Sequence, residues 1–399
     1  MLHNFDKVID RRGSACVKWD ALPPFEEAVD TSDVIPMWVA DMDFEVAPCI
    51  SKAVAERALN PVYGYNIVPP ECREAVCSWL SSRHSFDIDP SWLLFTTGVV
   101  PAMSAVIRAM THPGEKVVIF TPAYNCFFRT IRNNGCEVAE CPLVYADRSY
   151  TIDFDLFERI CSDPACTLLL FCNPHNPAGR VWTPEELLKV GEICRRHSVQ
   201  LVSDEIHCEI VMPGYHYTAF ASLSEQLSHE CITMTSYSKA FNAAGLKLAY
   251  IISDNPLWRS RIARAIDVME IGGTNPFGQL ALRAAYTDEG AEWLDQLNRY
   301  IHGNYVLMTE IFEKRLPQFP LCRLEGTYLA WFDCSALGDM PSVEIEKSLL
   351  LNEKVWVNNG TMYGKDGFMR VNLAAPRSLV SEGLRRLADG LNRLLSARI

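Results

Sequence analysis

The chain has 399 residues, of which 49% are hydrophobic and 22% are charged, and its formal net charge at pH 7 is −12. This composition is typical of a globular protein and excludes a disordered, fibrous or collagen-like chain. The excess of acidic residues argues against nucleic acid or an anionic membrane surface as the main partner.

The sequence predicts a cytoplasmic protein with reduced cysteines. No apolar run approaches the roughly 20 residues that a membrane helix needs, and the first residues contain no apolar segment resembling a signal peptide. The 15 cysteines are odd in number, scattered along the chain and never spaced as C-x-x-C. A disulfide framework is therefore not indicated. The nine histidines show no H-x-x-x-H spacing either, and we expect no metal site.

Short apolar runs alternate with helical stretches through the middle of the chain. The runs are continuous rather than alternating, as in strands that are buried on both faces. This alternation predicts an α/β protein with a mostly parallel sheet covered by helices. The predicted strands are 93–97, 116–120, 167–172, 200–203, 231–236 and 248–252.

The pattern changes after about residue 290, where a long amphipathic stretch is followed by two isolated strands and a final amphipathic helix. These elements predict a smaller α+β domain. No low-complexity or Gly/Ser linker separates it from the preceding part, so we expect the two domains to pack closely. The predicted division is an N-terminal segment that joins the small domain, a large domain and a C-terminal small domain, at 1–48, 49–289 and 290–399.

The segment Ser236-Tyr237-Ser238-Lys239 directly follows an apolar strand. A lysine at the end of a strand, flanked by hydroxyls and small residues, is suited to forming a Schiff base, because partial burial lowers the pKa of an amine. The hydroxyls and a following helix start can hold a phosphate group. Taken alone, the same segment is also compatible with a solvated lysine in a turn.

A second segment places Asp204 and His207 just after another strand. Open α/β sheets bind ligands at the carboxyl ends of their strands. If the ligand contains a pyridine ring, a buried Asp204 keeps its nitrogen protonated and makes the ring an electron sink. The alternative is that Asp204 only caps a helix. His207 is interpreted as a polar residue beside the site rather than as a metal ligand.

Two further segments also follow strands. The first, Asn173-Pro174-His175-Asn176-Pro177-Ala178-Gly179, contains two Asn-Pro pairs that fix a rigid turn and direct an amide side chain. The second, Thr97-Gly98-Val99-Val100, leads into a helix predicted to begin at Pro101, an arrangement in which main-chain amides can bind phosphate. Each segment alone is also typical of an ordinary turn.

Together and in chain order, NPHNPAG, SDEIH, SYSKAFNAAGLK and FMRVNLAAPRS resemble the fold-type I pyridoxal-phosphate enzymes of the aspartate aminotransferase superfamily. The resemblance covers essentially the whole chain. Within the superfamily the sequence is most similar to the MalY/PatB group of cystathionine β-lyases, or C–S lyases. The segments that carry this similarity include FDKVIDRRGS, KWD, WVADMDFEVAPCI, GYNIVPPE, TPAYNCFF and GTYLAWFD. His207 stands where transaminases of the superfamily usually have tyrosine.

The resemblance implies that pyridoxal 5′-phosphate is the cofactor and that Lys239 binds it covalently and is the base at the substrate's α-carbon. It places Asp204 at the pyridine nitrogen, Asn176 at the ring hydroxyl and Tyr124, as a further catalytic residue, on the ring face. The other cofactor-binding residues that it implies are His207, Gly98, Val99, Val100, Ser236, Ser238 and Lys247. Many superfamily members have arginine in place of that last lysine.

The resemblance also implies a substrate site that two subunits share. Arg370 would bind the substrate α-carboxylate through its bidentate fork, with Asn176 beside it. Tyr65 would reach the cofactor and substrate of the neighbouring subunit as a catalytic residue, which implies a homodimer. Tyr63 is the alternative for this cross-subunit position.

The predicted activity is that of a pyridoxal-phosphate-dependent C–S β-lyase, which converts L-cystathionine or related cysteine S-conjugates to a thiol, pyruvate and ammonia. A thiol has a pKa near ~8.5, so sulfur is a far better leaving group than hydroxide. One alternative is an aminotransferase on the same fold, which begins with the same steps. Another is a regulatory or binding protein that retains the fold.

Overall fold

The computed structural model of the protein describes residues 3–25 and 30–397. Residues 1–2, 26–29 and 398–399, which belong to the predicted segments 1–48 and 290–399, lie outside the described residues. The helices are α1 (Val17–Asp20), α2 (Pro48–Ala58), α3 (Pro70–His84), α4 (Val99–Met110), α5 (Asn125–Asn133), α6 (Phe154–Cys161), α7 (Pro184–Arg196), α8 (Glu225–Glu230), α9 (Pro256–Val268), α10 (Pro276–Ala285), α11 (Asp288–Arg315), α12 (Ser342–Glu353) and α13 (Arg377–Ser396). The strands are β1 (Ile35–Pro36), β2 (Leu93–Thr96), β3 (Lys116–Thr121), β4 (Glu137–Pro142), β5 (Val144–Ala146), β6 (Ser149–Thr151), β7 (Cys166–Cys172), β8 (Gln200–Asp204), β9 (Cys231–Thr235), β10 (Ala249–Ile252), β11 (Leu329–Asp333), β12 (Val355–Trp356), β13 (Asn358–Asn359) and β14 (Phe368–Asn372).

The main sheet of the described chain has seven strands in the order β2-β10-β9-β8-β7-β3-β4. The neighbouring pairs from β9 to β4 are parallel, whereas β10 is antiparallel to both of its neighbours. The predicted α/β fold with a mostly parallel sheet is thus confirmed. Each predicted strand of this region is present, with bounds that differ by one residue at most.

Both faces of the main sheet are buried, which explains the continuous apolar runs. Successive side chains of a strand point to opposite faces. Leu168 and Leu170 therefore belong to the core that includes α4 and α9, whereas Leu169 and Phe171 belong to the core that includes α6 and α7. Helix α7 begins at Pro184, where Thr183 and Glu186 form a reciprocal capping box.

Two details of the sheet differ from the sequence prediction. Strand β4 was not predicted, because its sequence EVAECP carries acids and it lies at the edge of the sheet, paired only with β3. Helix α4 begins at Val99, two residues before the predicted start at Pro101. A proline is tolerated in the first helical turn, where its missing N–H has no intrahelical acceptor in any case.

The C-terminal part of the chain contains a smaller sheet of order β11-β14-β13. Helices α11, α12 and α13 belong to the same part. Strand β1 pairs in parallel with β12, which attaches the residues before α2 to this part. Across residues 3–25 and 30–397, no helix has both the length and the apolar character required to cross a bilayer.

Candidate active site

The carboxyl ends of the parallel strands form one edge of the main sheet, and the motif residues lie there. Asn176 follows β7, Asp204 is the last residue of β8 and Lys239 follows β9. These ends are level in the sheet, because Asp204 is paired with Cys172 on one side and with Met234 on the other. The fold therefore brings together residues that lie up to 63 positions apart in sequence.

A cavity of about 390 Å³ opens at this edge, within the range of small-molecule binding sites. Most of the residues predicted for the cofactor line it. They are Gly98, Val99, Val100, Tyr124, Asn176, Asp204, His207, Ser238, Lys239 and Lys247. The cavity is also lined by residues that were not predicted, namely Ala40, Thr97, Pro101, Cys172, Ile206, Ala244 and Leu248.

Lys239 lies inside the cavity rather than in solvent. Its Nζ donates a hydrogen bond to the main-chain oxygen of Ala40 at 2.5 Å. The pKa of the Lys239 amine is lowered to about 8, chiefly by burial and with the help of the Arg370 charge, whereas the Asp41 charge opposes both. Lys239 does stand in a turn, as the alternative considered from sequence has it, but its side chain lines the cavity and its Nζ is hydrogen-bonded, which argues against a freely solvated lysine. An amine with this pKa is partly neutral near neutral pH and can act as a nucleophile or base.

Asp204 is buried, with an exposed fraction of 4%. Its Oδ1 accepts a hydrogen bond from the amide of Ile206 at 3.2 Å, but residues 206–209 form a turn, so the role of an α-helix cap is wrong. Burial raises the pKa of the Asp204 carboxyl to about 7, and the neighbouring Glu205 charge acts in the same direction. Because an unpaired negative charge is costly to bury, the Asp204 carboxyl requires a proton or a cationic partner.

His207 and Arg370 are both buried and each has an unpartnered nitrogen among the described residues, Nδ1 and Nε respectively. Burial lowers the pKa of His207 to about 3, and the Lys239 and Arg370 charges add to this effect, so the imidazole is neutral. Buried polar atoms without a partner are rare in proteins. The two nitrogens therefore indicate a place where a polar ligand binds.

Arg370 does not line the cavity, but it contacts a residue that does. Its Nη1 donates to Oδ1 of Asn176 at 3.1 Å and its Nη2 to the main-chain oxygen of Trp38 at 2.9 Å. The guanidinium carbon lies 4.7 Å from the ring centre of Tyr363. These contacts leave Nε as the donor without a partner in the described structure.

Part of the cavity lining suits an anion. Gly98 immediately precedes α4, whose first-turn amides have no intrahelical acceptors. Ser238 and the exposed residue Lys247 also line the cavity and supply a hydroxyl and a positive charge. Ser236 does not line the cavity, because its hydroxyl donates to the main-chain oxygen of Leu248 at 2.6 Å and accepts from the Ser238 amide at 3.1 Å. It supports the loop that carries Ser238.

Tyr65 lies outside the cavity of its own chain. Its exposed fraction is 110% of the reference value, the highest among the exposed large hydrophobic residues of the described chain. Tyr63 is also exposed, but its hydroxyl donates to the main-chain oxygen of Ala58 at 2.8 Å and its ring packs on Arg57. The structure of one chain therefore leaves Tyr65, rather than Tyr63, without contacts.

Ala40 and Tyr328 also contribute to the site, although neither has a role predicted from the sequence; they stand in the motifs WVADMDFEVAPCI and GTYLAWFD. The Tyr328 hydroxyl donates to the same Ala40 oxygen that accepts from Lys239, at 3.2 Å. Its ring meets that of His207 edge to face. The aromatic residue in GTYLAWFD was a possible signal for this position, whereas a main-chain oxygen has no signature in residue type.

Known proteins are similar to this chain over nearly its full length. The family model "Aminotransferase class I and II" matches residues 32–388. Cystathionine beta-lyase PatB of Bacillus subtilis (strain 168) is 38% identical over 391 residues, which are 98% of this chain and 100% of that protein. Protein MalY of Escherichia coli (strain K12) is 32% identical over 98% of this chain and 99% of its own.

A solved structure is similar to the same extent. The crystal structure of cystalysin from Treponema denticola, which contains a pyridoxal 5′-phosphate cofactor, has a TM-score of 0.94 and 36% sequence identity. The match covers 99% of this chain and 100% of that one.

Proposed function

The chain belongs to the aminotransferase class I and II family, and on that premise we propose that it is a pyridoxal-phosphate-dependent C–S β-lyase. Its substrates are L-cystathionine or related cysteine S-conjugates, and its products are a thiol, pyruvate and ammonia. The observation that carries this proposal is the full-length similarity to a cystathionine β-lyase. The geometry supports it, since Lys239, Asp204 and Asn176 line a single cavity.

The cavity residues fit pyridoxal 5′-phosphate in charge and position. The first amides of α4, with Ser238 and Lys247, suit the phosphate, and the buried Asp204 carboxyl lies in the same cavity. The unpartnered Nδ1 of His207 is a further polar group available to the ring. When bound here, the cofactor supplies an electron sink that stabilises negative charge at the substrate's α-carbon.

Two buried residues orient the ring in this proposal. Asp204 holds a proton at the pyridine nitrogen, and this cationic partner offsets the cost of its burial. Asn176 would donate from Nδ2 to the ring hydroxyl oxygen, because its Oδ1 already accepts from Arg370. Tyr124, which lines the cavity and is partly buried, would pack on the ring face.

Lys239 and Arg370 act on the substrate. Lys239 takes the α-proton on Nζ, which the lowered pKa makes available in the neutral form. Arg370 binds the α-carboxylate through its guanidinium, whose Nε is unpartnered in the described structure. The sulfur at the β-carbon then leaves as a thiolate, which needs no proton from the protein in order to depart.

We also propose a homodimer in which Tyr65 reaches the site of the partner subunit. The exposure of several large apolar residues near it supports an interface there; they are Leu59, Val62, Tyr63, Tyr65 and Ile67.

The proposed division at about residues 48 and 290 is supported by the separate sheets on either side of it. The 15 cysteines are free, which supports a reducing cytoplasmic location.

The experiment that tests the function is a product assay with the cofactor-loaded protein. L-cystathionine should yield pyruvate, ammonia and a thiol in equal amounts. L-alanine, which lacks a β-leaving group, is the matched control and should yield no pyruvate by this route. Absence of pyruvate from L-cystathionine would rule the lyase out.

A further inference from the structure

A short stretch next to the cavity presents its main-chain oxygens to functional side chains. We call residues 38–42 the carbonyl segment. The Trp38 oxygen accepts from Arg370 Nη2 at 2.9 Å, and the Ala40 oxygen accepts from Lys239 Nζ at 2.5 Å. One segment therefore contacts both the proposed base and the proposed carboxylate-binding group, which lie 131 residues apart.

The carbonyl segment is not part of a helix or strand, and asparagine side chains hold it instead. Asn372 Nδ2 donates to the oxygens of Val39 and Asp41, at 2.5 and 2.7 Å. Asn242 Nδ2 donates to the oxygen of Met42 at 3.0 Å. These side chains satisfy main-chain oxygens that no regular ladder pairs, and so hold the segment in one conformation.

A buried ion cluster anchors one end of the carbonyl segment. We define the Asp43 cluster as Asp43, Lys18, Arg11 and Trp19. Lys18 Nζ lies 2.6 Å from Asp43 Oδ2, and their side chains are only 1% and 2% exposed. Arg11 Nη1 and Trp19 Nε1 both donate to Asp43 Oδ1 at 2.8 Å.

Two bonds of the Asp43 cluster reach the carbonyl segment directly. Lys18 Nζ donates to the Asp41 oxygen at 3.1 Å, and Arg11 Nη1 donates to the Met42 oxygen at 2.9 Å. Arg11 also forms a two-point ion pair with the Asp41 side chain, at 2.9 and 3.0 Å. The cluster is thus connected through one or two residues to the oxygen that binds Lys239.

Added stability is a weak explanation for this cluster. Transfer of a lysine and an aspartate from water to a buried site is costly, and well-packed apolar residues are often as stable as a buried ion pair. Ion pairs do, however, define a single geometry through directed, charge-assisted hydrogen bonds. Lys18 and Asp43 are therefore suited to fixing the position of the backbone beside them.

We propose that the Asp43 cluster is a positioning device for the reaction, which holds the carbonyl segment so that its oxygens place Lys239 and Arg370. This inference rests on the proposed function for the roles of those two residues. It gives a role to the motifs DRRGS and KWD, whose residues do not line the cavity. Lys18, Asp43 and Arg11 are positioning residues, because they act through the backbone and not on the reacting atoms.

The test compares the cofactor-loaded wild type with a double variant, Lys18→Met with Asp43→Asn. The double change removes both charges and so leaves neither ion buried alone. We expect KM for L-cystathionine to rise about tenfold and kcat to fall about ten- to a hundredfold, since a displacement of about 1 Å costs about a hundredfold. Hydrogen exchange of the amides in 38–44 should become faster, while exchange in the main sheet stays unchanged.

The matched control is a lysine–aspartate pair on the surface. Lys116 and Asp163 lie 2.7 Å apart and are 36% and 39% exposed. Lys116→Met with Asp163→Asn should leave KM, kcat and exchange in 38–44 at wild-type values. If the buried double variant does not fold, Arg11→Lys decides instead. That variant keeps the charge at a partly exposed position but loses the two-point geometry, and it should shift KM and kcat several-fold in the same direction.

Wild-type KM and kcat in a folded double variant, or in Arg11→Lys where the double variant does not fold, would overturn the inference even if thermal stability fell. Failure of the proposed function looks different, because the wild type itself would then release no pyruvate. In that case the exchange measurement still decides whether the cluster holds the carbonyl segment.

Discussion

Arg370 donates a hydrogen bond from Nη1 to Oδ1 of Asn176 at 3.1 Å, and this bond joins residues that are 194 positions apart. Arg370 lies in β14 of the small sheet, and Asn176 follows β7 of the main sheet. The bond therefore fixes the group proposed for the substrate carboxylate relative to the group proposed for the cofactor ring hydroxyl. Arg370 thus connects the small sheet to Asn176, a residue of the cavity lining.

The guanidinium fork of Arg370 leads to the first prediction. Arg370→Lys keeps a positive charge but cannot bind Asn176, Trp38 and a carboxylate in one plane. Loss of a charge-assisted hydrogen bond costs about 1.5–3 kcal/mol, so KM for L-cystathionine should rise about ten- to a hundredfold. Steady-state kinetics measure this. A variant with unchanged KM would show that the carboxylate binds elsewhere.

The two lysines of the cavity provide a matched pair for the second prediction. Borohydride should fix the cofactor covalently to Lys239, which peptide mass spectrometry detects as a modified lysine. Lys239→Ala should lose this adduct and nearly all turnover. Lys247→Ala should keep the adduct, since that lysine is exposed and is proposed to contribute only its charge. An adduct on any other lysine would contradict the assignment of Lys239.

Buried histidine gives a prediction for the dependence of stability on pH. His175 is 1% exposed, and burial lowers its pKa from 6.5 to about 3. Below the unfolded pKa, the unfolded chain binds a proton at this residue that the folded chain does not. The contribution of His175 to the free energy of unfolding therefore falls by about 1.4 kcal/mol for each pH unit from about 6.5 down to about 3.

His175→Gln removes this titration and should flatten the pH dependence of stability. Urea unfolding of the cofactor-loaded protein at about pH 7.5 and about pH 5 measures the difference, which should be smaller in the variant by about 2 kcal/mol. His112→Gln, at an exposed position, is the control and should keep the wild-type slope. Equal slopes in wild type and His175→Gln would show that His175 takes up its proton in the folded protein.

Tyr65 provides the fourth prediction. If it acts on the partner's site, mixed dimers of Lys239→Ala and Tyr65→Ala chains contain one site with both native residues. Mixing two poorly active variants should then restore part of the wild-type turnover, up to about half per mixed dimer. The control mixture uses Tyr63→Ala in place of Tyr65→Ala, because the Tyr63 hydroxyl of the wild type bonds within its own chain. A fully active monomer in sedimentation would exclude the shared site.

The sequence predicted the sheet and the position of the site for a physical reason. Strands buried on both faces read as continuous apolar runs, and functional residues follow their carboxyl ends, as Asp204 and Lys239 do here. The cavity lining confirms the expected neighbourhood of Asn176. The predicted roles of these residues stay predictions, since they concern a bound cofactor.

What the sequence could not predict depends on tertiary contacts. The acceptor for Lys239 is the main-chain oxygen of Ala40, and any residue type would supply that atom. The place of Ser236 behind the cavity follows from its bond to Leu248, which only the loop conformation determines. The edge strand β4 was missed because its charged residues face solvent, where the apolar pattern is lost.

The central claim is that negative charge formed at the α-carbon leads to loss of a β-thiolate and not to transamination. The most direct measurement supplies the cofactor-loaded protein with L-cystathionine, with and without 2-oxoglutarate, and quantifies pyruvate and glutamate. We predict equal pyruvate release in both mixtures, matched by homocysteine and ammonia, and no glutamate. Formation of glutamate with negligible pyruvate would contradict the account and identify the protein as an aminotransferase.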